Sequence, residues 1–189
     1  MFAVLLGYLA GSVPFAFLLA RRAGIDVRVT GSGNVGAANV LRTTGLGRGI
    51  AVMALDVAKG ALAVAVAQAT TGGAPLAGTA AVVGHIYPVW LRFHGGKGVA
   101  VAAGVFAVLA PVATGVAAGL FLLIVCATRY VSLGSVAATV VLPPTAWFVG
   151  APGGVVAASA GAAALILFRH RTNLRRLYAG TERRFRERA

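Results

Sequence analysis

Residues 99–128 read VAVAAGVFAVLAPVATGVAAGLFLLIVCAT, a run without a charged side chain. As a single helix rising 1.5 Å per residue, this run would be about 45 Å long, which exceeds the hydrocarbon core of a bilayer at about 30 Å. Pro111 stands near its middle, where a helix kinks or breaks. Arg92 and Lys97 precede the run and Arg129 follows it. If both ends lie on the same side of a membrane, the run crosses twice.

The composition of the whole chain supports a membrane setting. Hydrophobic residues make up 59% of the 189 residues and charged residues only 11%, against about 25% charged residues in an ordinary globular domain. So few charges do not cover a water-facing surface. We therefore predict an all-α polytopic membrane protein that forms one integral membrane domain over residues 1–189. The single cysteine, Cys126, has no partner and is interpreted as a buried packing residue.

The pattern of apolar runs predicts seven transmembrane helices. Their predicted ranges are 2–20, 49–70, 76–91, 98–110, 112–128, 132–149 and 154–168. A count of five remains an alternative, if residues 98–128 and another run are re-entrant. No basic segment precedes the first apolar run, which therefore is not typical of a secretory signal.

The distribution of charge predicts an orientation. Lys and Arg number 17 against 4 Asp and Glu, and the predicted outer loops near 71–75, 111 and 150–153 contain no charged residue. Basic residues favour the cytoplasmic side, so the N-terminus should lie outside and the C-terminus in the cytoplasm. A net charge of +13 would suggest nucleic acid for a soluble protein. Here anionic lipid headgroups explain it, and no nucleic acid partner is expected.

The polar stretch 31–42, GSGNVGAANVLR, contains the letters GxGxxG of a dinucleotide-binding turn, and Asp56 follows at the expected distance. That turn needs a strand before it and a parallel sheet around it, and this sequence offers neither. The glycines can instead turn backbone N–H groups towards an anion. We predict phosphate-binding side chains and backbone around them. These residues are Gly31, Ser32, Gly33, Asn34, Gly36, Asn39 and Arg42. A flexible connector is the alternative.

A second polar stretch, HGGKG at 94–98, follows the third predicted span. Lysine is a compact cation suited to phosphate, and the surrounding glycines, Gly95, Gly96 and Gly98, open space and expose amides. The stretch lacks the GxxxxGK[ST] pattern of a P-loop. We predict that Lys97 and these glycines bind phosphate. The alternative is that Lys97 serves only as a positive charge that keeps this end of the span on the cytoplasmic side.

A third polar stretch follows the last predicted span. His170 and Asn173 are three residues apart, so they share one face if the helix continues. The residues from Arg183 to Arg188 are predicted to belong to a basic interfacial helix. Within the spans, Asp56 and Lys59 are predicted to neutralise each other, with a substrate role left open. His85 is expected to cap a broken helix or to bond between helices.

The scarcity of carboxylates argues against a metal site and against proton-coupled transport. No metal and no cofactor are predicted. Two other functional classes are alternatives to an enzyme. A transporter for phosphate or sugar phosphate would extend polar residues through its spans and show an internal repeat. A scaffold for acidic partners would use the basic tail but would leave the two glycine-rich stretches without a purpose.

The polar stretches together resemble the bacterial acyl-phosphate:glycerol-3-phosphate acyltransferase family. The family pattern SGNxGAxN plus Arg, DxxKG, GHxxPxxxxFxGGKGVA and HRxNIxRLxxGxE occurs here in order. The matching segments are Ser32–Asn39 with Arg42, Asp56–Gly60, Gly84–Ala100 and His170–Glu182.

The resemblance implies an inner-membrane enzyme with seven helices and an active site on the cytoplasmic face. It implies acyl transfer from acyl phosphate to glycerol 3-phosphate, giving lysophosphatidate, the first acylation of phospholipid synthesis. The soluble enzyme that makes acyl phosphate becomes a candidate partner, besides the lipid bilayer. The implied catalytic residues, which contact the phosphates, are Ser32, Arg42, Lys97, His170 and Asn173.

Overall fold

The computed structural model describes residues 1–70 and 72–185, and within them it contains helices and no strand. The α-helices are α1 (Phe2–Ser12), α2 (Phe15–Arg21), α3 (Ala37–Thr44), α4 (Leu46–Thr70), α5 (Ala74–Ile86), α6 (Val99–Leu109), α7 (Pro111–Thr128), α8 (Val131–Phe148) and α9 (Gly153–Tyr178). A short 3₁₀-helix, Val89–Leu91, follows α5. The prediction of an all-α fold is confirmed.

Six segments of the described chain are long and apolar enough to cross a membrane. They are Phe2–Arg21, Leu46–Thr70, Ala74–Leu91, Pro111–Thr128, Val131–Phe148 and Gly153–Tyr178. Helix α6 is apolar but shorter, and its 11 residues rise about 16 Å. The polytopic membrane character is therefore confirmed, and the count of seven crossings and their orientation stay predictions. The single-domain assignment also stays a prediction, since the chain divides into two compact units.

The first unit, Met1–Val105, is held together by close helix contacts through glycine. Helix α1 packs against α5 and α4. A Cβ atom at Gly7 would overlap the carbonyl oxygen of Ala77, and one at Gly11 would overlap that of Ala81. This spacing of small residues lets two backbones approach, which is how membrane helices pack without a hydrophobic driving force between them.

The first membrane segment is broken rather than continuous, which corrects the prediction of one helix over 2–20. Helix α1 ends at Ser12 and α2 begins at Phe15, because Pro14 has no N–H to continue the ladder. The break takes the Val13 carbonyl out of the regular helical ladder, inside the membrane. Its oxygen accepts the Phe15 N–H at 3.2 Å and a second hydrogen bond from Lys59 Nζ of α4 at 2.8 Å.

The second unit contains α7, α8 and α9, with α8 packed against both neighbours. Helix α9 continues ten residues beyond the predicted end, to Tyr178. Residues 179–185 are not helical, which corrects the predicted interfacial helix for Arg183 and Arg184, while Arg186 and Arg188 lie outside the described residues. The stretch folds back instead: the Phe185 N–H donates to the Arg129 carbonyl at 2.6 Å. Cys126 is exposed on α7, so its predicted burial is wrong.

Candidate active site

The first polar loop, residues 22–36, together with α3, is an anchored structure and not a loose connector. Val27, Val35 and Val40 are buried, and they pack in one cluster with Val52 of α4 and Leu91. Apolar side chains spaced through a polar loop thus tie it to the helices below it. This packing argues against the flexible connector considered from the sequence.

Asn39 organises the loop through its side-chain amide. Its Nδ2 donates to the carbonyls of Val27 and Thr30, both at 3.0 Å, and its Oδ1 accepts the Ser32 N–H at 2.9 Å. The side chain is 1% exposed. Both donor hydrogens of the amide are therefore committed to the protein backbone. This arrangement differs from the predicted phosphate contact, because the amide acts on the loop itself.

The loop glycines do different things. Gly31 and Gly33 have φ angles of 69° and 70°, the left-handed region that favours glycine. Gly36 has φ −155°, which is an extended conformation open to any residue. A Cβ at Gly36 would lie 2.9 Å from Asn34 Nδ2, so this glycine makes room for Asn34. Ser32 remains exposed at the turn.

An ion pair fixes the start of the loop. Arg28 Nη2 lies 2.6 Å from Asp26 Oδ2 and Nε lies 2.9 Å from Oδ1. The hydrogen bonds that the Arg28 side chain and N–H donate lower the pKa of Asp26 to about 2. The same side-chain hydrogen bonds raise the pKa of Arg28. The guanidinium also lies over the Phe17 ring, 4.8 Å from its centroid. This pair was not predicted from the sequence, although Asp26 stands two residues before Arg28.

The glycine loop, residues 94–98, is docked onto the end of α5 through its backbone. The Gly95 N–H donates to the Ile86 carbonyl and the Gly96 N–H to the His85 carbonyl, both at 3.1 Å. A Cβ at Gly95 would overlap the His85 carbonyl oxygen, and one at Gly96 would overlap His85 Nε2. These glycines were predicted to present amides to phosphate. In the structure their amides are used to cap α5, and the missing side chains permit that close contact.

Lys97 lies near the end of this docked loop, two residues before α6 begins at Val99. It is half-buried, and Gly98 follows with a φ of 91°. The first-turn N–H groups of α6 therefore begin two residues after a lysine, and a helix N-terminus is itself favourable for anions. Gly96, the residue before Lys97, packs against the first polar loop: a Cβ at Gly96 would lie 2.7 Å from the Val35 carbonyl oxygen. The structure thus brings together the two loops that carry Ser32 and Lys97.

Beneath these loops lies a buried polar cluster of Asp56, Lys59 and His85, whose side chains are 2%, 5% and 8% exposed. Lys59 Nζ lies 2.8 Å from Asp56 Oδ1 and 3.1 Å from His85 Nδ1. The predicted pairing of Asp56 with Lys59 is confirmed. His85 bonds between helices α5 and α4, which was one of its two predicted roles.

In the second unit, α9 continues through His170 and Asn173, so they share one helix face, as their spacing predicted, and both are buried. His170 Nδ1 lies 2.8 Å from the Ile166 carbonyl oxygen, which only accepts, so Nδ1 carries a proton and Nε2 carries the lone pair of a neutral ring. Asn173 Nδ2 donates to Glu182 Oε1 at 2.6 Å, and Arg176 Nε donates to Oε2 at 2.7 Å.

Glu182, to which no role was given from the sequence, contacts the candidate site residue Asn173. Burial alone raises the pKa of its carboxyl, but hydrogen bonding, with Asn173 as the largest contributor, together with the charge of Arg176, outweighs that cost and lowers the pKa. Glu182 therefore stays ionised and holds the Asn173 amide in place. The sequence does single this residue out, because Glu182 is an acid within an arginine-rich C-terminal stretch. In residues 1–70 and 72–185, no three His, Cys, Asp or Glu side chains form a candidate metal centre.

Comparison with known proteins gives one consistent result. The sequence profile of the family described as "Glycerol-3-phosphate acyltransferase" matches residues 1–180. The chain is 48% identical over 187 residues to the glycerol-3-phosphate acyltransferase of Myxococcus xanthus, covering 96% of this chain and 97% of that protein. It is 44% identical over 181 residues to that of Geobacter sulfurreducens, covering 94% and 93%.

A solved structure agrees with the sequence relatives. The crystal structure of PlsY, an integral membrane glycerol 3-phosphate acyltransferase in its glycerol 3-phosphate form, superposes with a TM-score of 0.93 at 40% identity. The match covers 97% of this chain and 94% of that one. The anchored polar loop, the docked glycine loop and the buried α9 pair thus occur in a chain that belongs to the glycerol-3-phosphate acyltransferase family.

Proposed function

We propose that this protein transfers a fatty acyl group from acyl phosphate to a hydroxyl of glycerol 3-phosphate, releasing lysophosphatidate and phosphate. The single observation that carries the proposal is the junction of the two polar loops in the first unit, at Gly96 and Val35. It joins a serine-bearing turn and a lysine beside a helix N-terminus, in a family named for glycerol 3-phosphate.

The residues divide into those that meet phosphate and those that shape the loops. We assign phosphate contacts to Ser32, Arg42 and Lys97, whose hydroxyl, guanidinium and ammonium all donate hydrogen bonds to phosphate oxygens. Asn39, Gly95 and Gly96 set the loop geometry, because their amides are engaged with the backbone. Gly31, Gly33, Asn34, Gly36 and Gly98 form the turns around them. In the second unit, His170 and Asn173 are assigned to the same reaction.

In the proposed reaction, no acidic or basic side chain of the protein is required to transfer a proton. The glycerol hydroxyl oxygen forms a bond to the acyl carbonyl carbon, and the bond from that carbon to the phosphate oxygen breaks. The hydroxyl proton passes to an oxygen of the departing phosphate, which serves as the base. Fixed cationic donors stabilise the charge that develops on that phosphate, and alignment of the two substrates lowers the entropic part of the barrier. His170 is the protein group that competes for the proton.

The setting follows from the same proposal. In this proposal the site lies on the cytoplasmic face of a bacterial inner membrane, the side that basic loops favour, and the acyl chain stays in lipid while the phosphates face water. A soluble enzyme that makes acyl phosphate is the proposed supplier of the donor. A phosphate transporter is the second functional class to test, since it would use the same cationic loops without breaking a bond.

Phosphate release tests the proposal directly. Purified protein in lipidic medium receives palmitoyl phosphate and glycerol 3-phosphate, alone and together, and inorganic phosphate is measured. We expect release that requires both substrates and falls by at least about 10²-fold in Lys97→Ala, the range for removing one donor to developing charge. His170→Gln in the same assay distinguishes the proton acceptors: near-full kcat leaves the phosphate as base, and a collapse assigns that role to histidine.

Arg171→Ala is the matched control. Its guanidinium is exposed and lies over Phe168 on α9, so removing it changes the charge by the same amount outside the proposed phosphate contacts. We expect activity within about twofold of the unaltered protein, since a surface charge of this kind contributes little. Folded protein that releases no phosphate from the two substrates would favour the transporter.

A further inference from the structure

The buried polar cluster is not explained by the proposed chemistry. Asp56, Lys59 and His85 are almost fully removed from solvent within apolar helices, where ionisable groups are costly and are retained for a purpose. Asp56 and Lys59 neutralise each other, yet an apolar pair of similar size would avoid the cost altogether. Something other than stability therefore accounts for these side chains.

Lys59 connects the cluster to the break in the first membrane segment. Its Nζ donates to the Val13 carbonyl at 2.8 Å and lies 5.5 Å from the Phe15 ring centroid. The same nitrogen lies 3.1 Å from His85 Nδ1. Because a charged ammonium has donors only, Nδ1 is the acceptor, and a neutral His85 then carries its proton on Nε2.

That Nε2 faces the glycine loop. A Cβ added at residue 96 would overlap His85 Nε2 and would also lie 2.7 Å from the Val35 carbonyl oxygen, so the imidazole and the first polar loop both pack closely against this glycine. The His85 carbonyl also accepts the Gly96 N–H. The side chain and the backbone of one histidine thus hold the residue that precedes Lys97. A cavity of about 10 Å³, room for about one water molecule, is bordered by the cluster, Gly95, Gly96 and Val35.

We infer that Asp56, Lys59 and His85 are positioning residues, which fix the glycine loop and so the placement of Lys97 relative to the first polar loop. Asp56 forms an ion pair with Lys59, and Lys59 Nζ donates to His85 Nδ1 and so orients the ring. His85 Nε2 then packs against Gly96. The inference rests on the proposed acyl transfer, because Lys97 matters only if the loops form its site. The three residues touch no substrate in this scheme.

Two substitutions at His85 separate its two nitrogens. His85→Asn places an amide near the Nδ1 position, so it can still bond to Lys59 but does not reach Gly96. His85→Gln extends an amide towards the Nε2 position. Val64→Ala is the matched control, since Val64 is fully buried on the same helix as Lys59 and packs beside Gly78, away from the loops.

Hydrogen exchange of the segment containing residues 94–98 measures loop order without any substrate. We expect exchange roughly tenfold faster in His85→Asn than in the unaltered protein, because local opening is governed by the contacts of that segment. His85→Gln should exchange more slowly than His85→Asn. Val64→Ala should lower the melting temperature without changing exchange in this segment.

The same variants are then assayed for acyl transfer. We expect kcat to fall about 10- to 100-fold in His85→Asn, the scale for small misplacement of a reacting group, with partial recovery in His85→Gln and near-normal kcat in Val64→Ala. If His85→Asn does not fold, Asp56→Asn replaces it, since it keeps the shape but removes the charge that holds Lys59, and the same results are expected.

The outcomes are distinguishable. Equal exchange and kcat in His85→Asn and Val64→Ala would reduce the cluster to general stability and overturn the inference. Faster exchange in the loop with unchanged kcat would also overturn it, because the loop would then not set the reaction geometry. If the unaltered protein transfers no acyl group, the proposed function fails, whereas faster loop exchange in His85→Asn would still support the positioning of the loop.

Discussion

Glu182 orders the side chain of Asn173, a residue of the proposed site, through a hydrogen bond. It lies after the end of α9, is 9% exposed, and accepts hydrogen bonds from Asn173 and Arg176. The Asn173 bond is buried, and it contributes more than the Arg176 pair, whose side chain is 44% exposed and screened by solvent. The carboxylate therefore orders the Asn173 amide before any substrate arrives.

Glu182→Gln should lower stability by about 1–3 kcal/mol near pH 7, because a charge-assisted bond becomes neutral. The pKa of Glu182 is held below its ordinary 4.5, so its stabilisation is complete above about pH 4.5 and is lost as the pH falls through the folded-state pKa. Melting temperature against pH should show the two proteins converging in acid. Arg183→Gln, exposed and adjacent, should stay within about 0.5 kcal/mol. Curves that stay parallel throughout the acid range would contradict the assignment.

Residue types could be predicted from the sequence better than residue roles. Ser32, Lys97, His170 and Asn173 stood out because glycine spacing and charge mark them. The roles of Asn39, Gly95 and Gly96 depend on which carbonyl lies nearby in space, and that is fixed by the docking of α3 and α5. A local pattern contains no information about such partners.

At the scale of elements, glycines decide which helices approach each other. Gly11 lies against the Ala81 carbonyl, with no room for a Cβ, whereas a Cβ at Gly119 on α7 would stand in open space, with no neighbouring atom within 4 Å. The two glycines sit in helices of similar apolar character but in opposite environments. A methyl group at each therefore measures packing separately from helix propensity.

We expect Gly11→Ala to destabilise the protein by about 1–3 kcal/mol, since α1 must move away from α5 to accept the methyl group. Gly119→Ala should be neutral or stabilising by about 0.5–1 kcal/mol, because alanine favours the helix and meets no neighbour. Thermal unfolding in a lipidic medium compares the two. Equal effects at both positions would mean that the α1–α5 contact is not tight.

The elements that departed from prediction did so for reasons of hydrogen bonding and packing. The first apolar run was predicted as one helix, but Pro14 breaks it, and the resulting carbonyl is satisfied by Lys59 on another helix. No helix was predicted between the first two apolar runs, 2–20 and 49–70, although α3 occupies Ala37–Thr44. Its eight residues are too few for a clear periodic signal, and buried valines rather than propensity hold it in place.

At the scale of the whole molecule, the arrangement of charge and helix length poses one question about topology. Arg92 and Lys97 precede α6 and Arg129 follows α7, and shared sidedness requires an even number of crossings between them. Yet α6 rises only about 16 Å, roughly half of the hydrocarbon thickness. Either α6 crosses as a short helix in a locally adapted bilayer, or residues 98–128 re-enter on the same side and make no complete crossing.

Cysteine labelling decides between them. In a Cys126→Ala background, which removes the single native cysteine, Val112→Cys reports on the junction of α6 and α7, where Val112 is exposed. Ala151→Cys and Thr181→Cys mark the predicted outer and inner faces. With a membrane-impermeant maleimide on spheroplasts, seven crossings require labelling at 112 and 151 but at 181 only after the membrane is opened. Labelling at 151 without labelling at 112 would establish a re-entrant α6–α7 segment. Labelling at 181 before the membrane is opened would reverse the predicted orientation and contradict the cytoplasmic placement of the site.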